Sequence, residues 1–372
     1  MKKLILLTIL MAFIPTAKVF AMADSAFSAC IMNAATGEVV WEKNGHEKHS
    51  MASTTKIMTA IVAMENVGMD TPVTVSEAAA GTEGSSMYIQ GGDVFSMRDM
   101  LYGLMLNSGN DAAEAIAENV AGSREAFAAM MNQKAYDIGA LNTQFQNPSG
   151  LDADGHYTTA YDLALITKYG LQNKDFCDIM ATKHIEVNEQ NTGRMIPLSN
   201  HNKLLGSYEG CIGGKTGFTQ KTGRCLVSIA ERDGMKFIVT TINDQQDWED
   251  HKEMLDYCFH NHRPFRVIKR ADVVNHIVSG SEKCNLVYAA DFTIPLRLDE
   301  AESVEVQNHV LPSFYGGINQ WEKLGEARVM CDGVCIGTVD IVADNPVSSS
   351  EAFRMRRSFW LELETMVKNF LL

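Results

Sequence analysis

A serine and a lysine three residues apart are the first candidates for catalytic chemistry. Ser53-Thr54-Thr55-Lys56 is the single Ser-x-x-Lys of the chain. If a helix begins at Ser53, both side chains lie on one face and the amine reaches the hydroxyl. A serine hydroxyl is a weak nucleophile that needs a neighbouring base, and lysine becomes that base when burial or nearby cations lower its pKa. Alone, the spacing also fits a helix cap beside a surface lysine.

Two further motifs follow in an order that strengthens the first. Residues 108–110 read Ser-Gly-Asn and lie between two apolar helical runs, and residues 215–217 read Lys-Thr-Gly on a predicted strand. Alone, the first fits the end of one helix and the start of the next, and the second recurs at residues 221–223. Together, Ser-x-x-Lys, Ser-x-Asn and Lys-Thr-Gly in this order indicate a serine acyl-transferase.

The elements around these motifs are predicted to form one sheet with helices inserted between its strands. Residues 28–33 and 38–42 predict a first hairpin, in which Gly37 permits the turn. Helical spacing and Ser or Thr caps predict helices from residue 53 onward and at 96–106, 111–120, 123–138 and 159–170. Strand patterns return at 211–218, 223–230 and 235–241. Because strands precede and follow the helices, both groups are expected to share a sheet.

Changes of character divide the chain into four predicted parts. Residues 1–23 have a basic start, an apolar run and a small-x-small end, which is typical of an export signal. Residues 24–262 carry the motifs, and the short strands and turns of residues 263–350 predict a small all-β domain. Residues 351–372 place apolar side chains at helical spacing beside arginines, as in a helix lying on an anionic membrane, although packing on the protein's own core is an alternative.

Charge and cysteine content narrow the function class. The formal charge is −14, and it becomes −17 when the three cations of residues 1–23 are removed. A chain this acidic, without a basic stripe, is not expected to bind nucleic acid. The eight cysteines permit disulfides after export, with Cys211 and Cys225, or Cys331 and Cys335, as candidates across hairpins. Without a Cys-x-x-Cys, the pairing stays open.

With these motifs, the chain resembles the low-molecular-weight penicillin-binding proteins of the D-alanyl-D-alanine carboxypeptidase family. Residues 84–93 and 147–156 also resemble segments of that family. The resemblance implies an α/β fold of the transpeptidase and β-lactamase type: a sandwich with an inserted helical subdomain, then the all-β domain and the amphipathic helix. It further implies an exported, peripheral enzyme at the outer face of the cytoplasmic membrane, acting in peptidoglycan synthesis and cell shape without a cofactor or metal.

The family assigns catalytic roles to four matching residues. By resemblance, Ser53 would attack the carbonyl between the two terminal D-alanines of a peptidoglycan stem pentapeptide, and Lys56 would accept its proton. Ser108 and Lys215 would relay a proton to the departing D-alanine, and water would then release the acyl-enzyme. β-Lactams would acylate the same serine and inhibit the enzyme.

Substrate binding is implied at five further positions. Asn110 would bind a substrate amide, Thr216 the terminal carboxylate, and the strand backbone through Gly217 and Phe218 would pair with an extended peptide. The amides of the nucleophile and of Phe218 would form the oxyanion hole. His201 stands where some relatives have an arginine, so it is expected to take part of that role with a charge that changes near pH 6.5.

The choice of Lys-Thr-Gly copy depends on the residues that follow. Phe218-Thr219 and then Thr222-Gly223 resemble the family's Lys-Thr-Gly-x-Thr-x-x-Ala-Gly, with Thr222 in place of alanine. The first copy is therefore expected to be functional, and the second to lie in a hairpin turn.

Three other function classes remain open. A class A β-lactamase shares two motifs, but Gly109 stands where aspartate is expected and residues 186–190 lack the asparagine of its Glu-x-x-x-Asn loop. A non-catalytic wall-binding or antibiotic-sensing protein would keep the motifs without turnover. A metal site at His46-x-x-His49 or His260-Asn-His262 lacks carboxylate or cysteine partners at ligand spacing, which favours surface histidines.

Overall fold

The computed structural model describes residues 22–279, 282–297, 304–310, 313–314, 317–331, 333–347 and 353–354 of the 372-residue chain. Most of the expected export signal, at residues 1–23, lies outside these ranges. So do residues 355–372 of the expected amphipathic helix. Phe353–Arg354 is a strand that pairs with Ser313–Phe314, which corrects the expected start of that helix at residue 351. Main-chain groups bonded to a neighbouring strand are not available for helical hydrogen bonds.

Strands precede, interrupt and follow the helices. Up to residue 262 the strands are β1 (Ala26–Asn33), β2 (Val39–Lys43), β3 (Pro72–Thr74), β4 (Val94–Ser96), β5 (His184–Asn188), β6 (Met195–Ser199), β7 (Cys211–Thr219), β8 (Gly223–Arg232) and β9 (Met235–Asp244). The α-helices are α1 (Lys56–Asn66), α2 (Glu77–Ala80), α3 (Met97–Leu106), α4 (Asn110–Ala121), α5 (Arg124–Asp137), α6 (Ala160–Gly170), α7 (Lys174–Ala181), α8 (Leu204–Ser207) and α9 (Asp247–Asn261). The later strands are β10 (His262–Ile268), β11 (Val273–Ser279), β12 (Glu282–Tyr288), β13 (Phe292–Arg297), β14 (Val304–Val310), β15 (Ser313–Phe314), β16 (Lys323–Cys331), β17 (Val334–Ala343) and β18 (Phe353–Arg354).

Strands from before and after the helical block form one antiparallel sheet. Its order is β2-β1-β9-β8-β7, with Ala26 of β1 opposite Asp244 of β9. Strand β7 lies at one edge and pairs with β8, where Lys215 is opposite Val227. The prediction of a shared sheet is confirmed, and it leaves the Lys-Thr-Gly strand with one unpaired edge.

The helices between these strands begin close to their predicted positions. Ser96, Ser123 and Thr159 each accept the amide hydrogen of the residue three positions later, as N-cap side chains do. Residues 56–63 of α1 are all buried, so this helix is enclosed by its neighbours. Among the described helices, none combines the length and apolar composition that crossing a membrane requires.

Helix α9 covers the sheet face that lies away from the helical block, and the sequence patterns did not predict it. Met254, Leu255 and Cys258 of α9 pack against Phe237 and other side chains of the sheet. Acidic residues occupy its first turn, where they interact favourably with the helix dipole. The sheet is therefore covered on both faces, as a sandwich requires.

Beyond α9 the described residues form strands. Five of them make a sheet in the order β11-β12-β17-β16-β14, and β10 pairs with β13. Leu286, Ile294, Val329 and Ile341 belong to a separate buried cluster. Ala35, from the β1–β2 hairpin, packs against this cluster, so the β-rich part contacts the first sheet at its end.

In the observed strand registers, the two cysteines of each candidate pair are not directly opposite each other. Cys211 is opposite Ala230, and Cys225 is opposite Gly217. Cys331 is opposite Val334, so it does not face Cys335. Hairpin position alone could not reveal this, because cross-strand contact depends on the register.

Candidate active site

Ser53 lies on a tight turn that immediately precedes α1. The turn is a 3₁₀-helix, Ala52–Thr55, and α1 begins at Lys56. Ala52 has a φ of +47°, in the left-handed region that alanine rarely adopts. The hydroxyl of Thr54 donates to the carbonyl of Met51 at 2.6 Å, and that of Thr55 to the carbonyl of Ala52 at 2.8 Å. Local hydrogen bonds thus hold the strained backbone beside Ser53.

Lys56 is completely buried and its amine has three partners. Its Nζ lies 3.0 Å from Ser53 Oγ and 2.7 Å from Asn110 Oδ1, and it also donates to the carbonyl of Ser149. The amide and backbone carbonyl oxygens can only accept hydrogen bonds. A neutral amine therefore uses its two N–H groups on these oxygens and directs its lone pair at the serine hydroxyl.

The surroundings of Lys56 favour that neutral form. Burial, and then the nearby charge of Lys215, hold the pKa of Lys56 well below its usual value, while the carboxylates of Asp111 and Glu114 act in the opposite direction. Desolvation disfavours the charged ammonium because the protein interior solvates it poorly. Lys56 can therefore act as a general base for the serine hydroxyl.

A second lysine–serine pair involves the other two motifs. Lys215 Nζ donates to Ser108 Oγ and to the carbonyl of Thr216, each at 2.9 Å. Lys215 is 1% exposed, and burial lowers its pKa to about 7. Ser108 has a φ of +58°, which marks a sharp turn between α3 and α4. The turn brings its hydroxyl to the amine of β7, and the pair can exchange a proton near neutral pH.

Asn110, at the start of α4, connects Lys56 to the segment that contains Glu83. Its Oδ1 accepts from Lys56, and its Nδ2 donates to the carbonyl of Glu83 at 2.7 Å. The next residue, Asp111, accepts from Ser86 Oγ at 2.6 Å and from the amide of Met87 at 3.1 Å. These contacts fix the 84–93 segment, singled out in the sequence, against the start of α4.

The edge strand β7 approaches the 3₁₀ turn of Ser53 at Gly217. A Cβ added to Gly217 would lie 3.1 Å from the amide nitrogens of both Ser53 and Thr54, so a side chain here would push the strand away. Phe218 follows, with 64% of its surface exposed. The second Lys-Thr-Gly lies in the turn after β7, where Lys221 is exposed, as expected.

His201 lies on the segment that leads to β7. The neighbouring Asn202 donates through Nδ2 to the carbonyl of Gly213 at 3.3 Å, which ties this segment to the strand. Burial, and then the charge of Lys215, lower the pKa of His201 below its usual value. The change of charge expected near pH 6.5 is therefore shifted to lower pH.

The segment at residues 147–151 contributes contacts to which the sequence patterns assigned no role. The carbonyl of Ser149 binds Lys56, and the carbonyl of Pro148 accepts from Thr59 Oγ1 at 2.6 Å. Gly150 has a φ of +86°, and a Cβ there would lie 2.0 Å from the carbonyl oxygen of Ala52. The Asn-Pro-Ser-Gly pattern marks this segment in the sequence. It does not predict the contacts, because every residue type carries a backbone carbonyl.

The carboxylate candidates of residues 186–190 are either exposed or bonded to other parts of the chain. Glu186 is exposed on β5, and Glu189 accepts from the amides of Val94 and Thr192. Within the described part of the chain, no carboxylate forms an ion pair with Lys56. His262, expected at the surface, is 6% exposed because it begins β10 beneath the end of α9.

Comparisons with known proteins agree with this geometry. The family model for D-alanyl-D-alanine carboxypeptidase matches residues 16–246. The chain is 31% identical to D-alanyl-D-alanine carboxypeptidase DacF of Bacillus subtilis, over 89% of this chain and 86% of that protein. It is 36% identical to D-alanyl-D-alanine carboxypeptidase DacC of Escherichia coli, over 58% of this chain and 56% of that protein.

Solved structures show the same similarity in three dimensions. The D-alanyl-D-alanine carboxypeptidase DacD of Francisella tularensis superposes with a TM-score of 0.62 and 27% identity, over 87% of this chain and 94% of that one. A mutant of the Streptomyces K15 DD-transpeptidase gives a TM-score of 0.61 and 32% identity, over 63% and 98%. The chain belongs to the D-alanyl-D-alanine carboxypeptidase family and is a serine-type carboxypeptidase of that family.

Proposed function

We propose that this enzyme removes the terminal D-alanine from peptidoglycan stem pentapeptides through an acyl-enzyme on Ser53. One observation carries the assignment of the nucleophile. The buried amine of Lys56 has two carbonyl acceptors, so its remaining position faces Ser53 Oγ at 3.0 Å. This arrangement places a base within hydrogen-bond distance of Ser53.

Acylation follows from that geometry. Ser53 Oγ attacks the carbonyl between the two D-alanines as Lys56 takes up its proton. The amides of Ser53 and Phe218 stabilise the oxyanion, a contact that contributes about 2.7–4 kcal/mol per donor in other enzymes. The close approach of Gly217 to the Ser53 amide supports this pairing of donors.

Departure of the terminal D-alanine depends on proton transfer by the pair Ser108 and Lys215. Ser108 passes a proton to the leaving nitrogen and is itself reprotonated through Lys215, whose pKa of about 7 suits both directions of transfer. Asn110 binds the amide of the substrate, and Thr216 binds the terminal carboxylate. His201 adds a neutral hydrogen-bonding group on the same side. Water then releases the shortened peptide.

β-Lactams acylate the same serine and act as inhibitors. A penicillin ester is released quickly when a carboxylate activates the hydrolytic water. In the candidate loop, Glu186 is exposed and Glu189 is engaged by the amides of Val94 and Thr192 and by the Thr192 hydroxyl. This supports a carboxypeptidase that retains penicillin over a β-lactamase that destroys it.

Release of D-alanine is the direct test of turnover. Wild-type enzyme is incubated with a stem pentapeptide and with the tetrapeptide product as control, and free D-alanine is measured. Release from the pentapeptide, lost in Ser53→Ala, is the expected result. Penicillin acylation without D-alanine release would instead identify a wall-binding or antibiotic-sensing protein.

Export is part of the proposal, and the structure bears on where a leader would be removed. Ala23 is fully buried, and its carbonyl accepts from the amide of Ala26 at 3.1 Å and from Lys43 Nζ at 3.0 Å. Cleavage after Ala23 would remove these contacts and leave Lys43 Nζ bonded to the carbonyl of Asp24 at 2.9 Å. N-terminal sequencing of the exported enzyme is expected to begin at Asp24, after the Ala21-Met22-Ala23 site, and a start elsewhere would contradict this.

The division into parts and the membrane anchor complete the proposal. We assign catalysis to residues 24–262, an all-β domain to residues 263–350, and a membrane-surface helix to the residues after 354. The separate buried cluster of the β-rich part supports the second boundary. The enzyme would then lie at the outer face of the cytoplasmic membrane, held peripherally while it trims peptidoglycan.

A further inference from the structure

A buried histidine lies beside the catalytic motif without belonging to it. His156 is 5% exposed. Its Nδ1 accepts the amide hydrogen of Gln146 at 3.0 Å, and its Nε2 lies 2.8 Å from Thr55 Oγ1. A neutral imidazole carries one proton, and a nitrogen that accepts a hydrogen bond does not hold it. The ring proton is therefore on Nε2, which donates to Thr55, the third residue of Ser-x-x-Lys.

Thr55 extends this contact to the residue before the nucleophile. Its hydroxyl donates to the carbonyl of Ala52 at 2.8 Å. Ala52 is the strained residue with a φ of +47°, and Gly150 packs against the same carbonyl. The peptide unit that joins Ala52 to Ser53 carries the Ser53 amide. The hydrogen bonds from His156 to Thr55 and from Thr55 to Ala52 thus end on the peptide unit before Ser53. That unit carries the amide proposed as an oxyanion donor and is bonded to the residue proposed as the nucleophile.

We propose that His156 is a positioning residue that orients Ser53 for acylation through the Thr55 hydroxyl and the Ala52 carbonyl. This inference rests on the proposed role of Ser53 and adds to it a residue outside the three motifs. His156 touches neither substrate nor the reacting atoms, so its effect is on the acylation step and not on binding. Small misplacements of a nucleophile reduce rates strongly, by about 100-fold for 1 Å.

The electrostatic surroundings keep the histidine in the required form. Burial lowers the pKa of His156 to about 4, with Asp152 raising it and Lys56 lowering it. The ring of Phe145 packs against it edge-on, with centroids 5.9 Å apart. At neutral pH the ring is therefore uncharged and has one donor and one acceptor. That is the combination which the Thr55 hydroxyl and the Gln146 amide require.

Two substitutions separate the two hydrogen bonds of the ring. In His156→Gln, the amide NH₂ reaches the position of Nε2 and can still donate to Thr55. In His156→Asn, the carbonyl oxygen takes the position of Nδ1 and binds Gln146, but nothing reaches Thr55. Stopped-flow acylation by a fluorescent penicillin gives the saturating rate constant and the dissociation constant separately. We expect His156→Asn to lower the rate constant about 100-fold with an unchanged dissociation constant, and His156→Gln to remain near wild type.

Matched variants distinguish positioning from a loss of stability. Thr55→Val removes the hydroxyl while keeping the shape, and it is expected to match His156→Asn even if the latter folds poorly. His251 is also buried between hydroxyls, Ser228 at 2.9 Å and Thr241 at 3.0 Å, but it lies on α9 and faces β8 and β9. His251→Asn should lower the melting temperature and leave the acylation rate constant of folded enzyme unchanged.

The outcomes separate this inference from the proposed function. Wild-type enzyme that is not acylated at Ser53 would refute the function itself. Wild-type enzyme that is acylated, with His156→Asn and Thr55→Val equally fast, would overturn the role of His156 alone. So would a His156→Gln variant as slow as His156→Asn, because contact with Thr55 would then not be the relevant feature.

Discussion

At the scale of single residues, the site is built on two buried amines. Lys56 and Lys215 are 0% and 1% exposed. The amine of each lies within hydrogen-bond distance of a serine hydroxyl. Burial lowers both pKa values, and the charge of Lys215 lowers that of Lys56 further. Neither lysine could act as a base with the pKa it has in water, because it would be protonated at neutral pH. The chemistry therefore depends on the surrounding fold as much as on the residue type.

The two copies of Lys-Thr-Gly give a matched test of this dependence. Lys215→Ala removes the amine that binds Ser108, and we expect acylation by penicillin to fall by at least about 100-fold. Lys221→Ala changes an exposed side chain in the turn and should leave the rate nearly unchanged. Equal losses from both substitutions would refute the choice of the first copy.

Burial of Lys215 also predicts how stability depends on pH. The unfolded chain binds a proton at Lys215 up to about pH 10.4, whereas the folded protein releases it near pH 7. Between these values the unfolded state holds more protons, so the free energy of unfolding rises with pH by up to about 1.4 kcal/mol per unit from this group. Lys215→Met should lose this contribution, measured by urea unfolding at pH 7.5 and 9.5. An unchanged pH slope would contradict the burial of a titrating amine.

At the scale of elements, the site forms where three segments converge on the 3₁₀ turn of Ser53. The start of α4 provides Asn110, the edge strand β7 provides Lys215 and Gly217, and the segment from Pro148 to Gly150 provides backbone carbonyls. Close approach explains the glycines at two of these contacts. The segments come from distant parts of the chain, so the packing of helices on the sheet sets the distances.

Gly217 offers a test of the approach of β7. In Gly217→Ala the new Cβ would lie 3.1 Å from two backbone nitrogens, which cannot move as a side chain can. The strand should shift outward, and acylation should fall by about 100-fold. Gly68→Ala is the matched control, since its Cβ would meet the Thr71 hydroxyl at an ordinary 3.4 Å. Normal acylation by Gly217→Ala would show that β7 does not lie against the nucleophile turn.

Local signals predicted the elements that carry the motifs but not all of those that position them. The caps at Ser96, Ser123 and Thr159 act over three residues, so they are visible in the sequence. Helix α9 was missed because Asp247, Asp250 and His251 occupy buried positions in its first half, so the apolar stripe begins only at Met254. The β5–β6 hairpin was missed because Glu189, which organises its turn, bonds backbone amides and leaves no motif. Contacts of Ser149 and His156 with the motif arise from folding and could not be read from spacing.

At the scale of the whole molecule, the acidic charge divides unevenly. The chain has a formal charge of −14, yet residues 351–372 carry four cations and three acids. An anionic membrane surface would repel the acidic body and attract the basic residues near the end. This distribution supports the proposed orientation, with catalysis held away from the surface and the terminal segment on it.

Deletion of residues 359–372 tests the proposed anchor. The truncated enzyme should appear in the soluble fraction after cell breakage, because the apolar face of the segment would be gone. Acylation by penicillin should be unaffected, since the site lies in residues 24–262. Continued recovery with membranes would show that another part of the chain provides the attachment.

The most direct test of the account is the identity of the acylated residue. Purified enzyme is treated with penicillin, digested and analysed by mass spectrometry, with Ser53→Ala as the control. We predict one stable adduct on the peptide that contains Ser53, and none in the control. An adduct on another residue, or no adduct on folded wild-type enzyme, would contradict the assignment of Ser53 as the nucleophile.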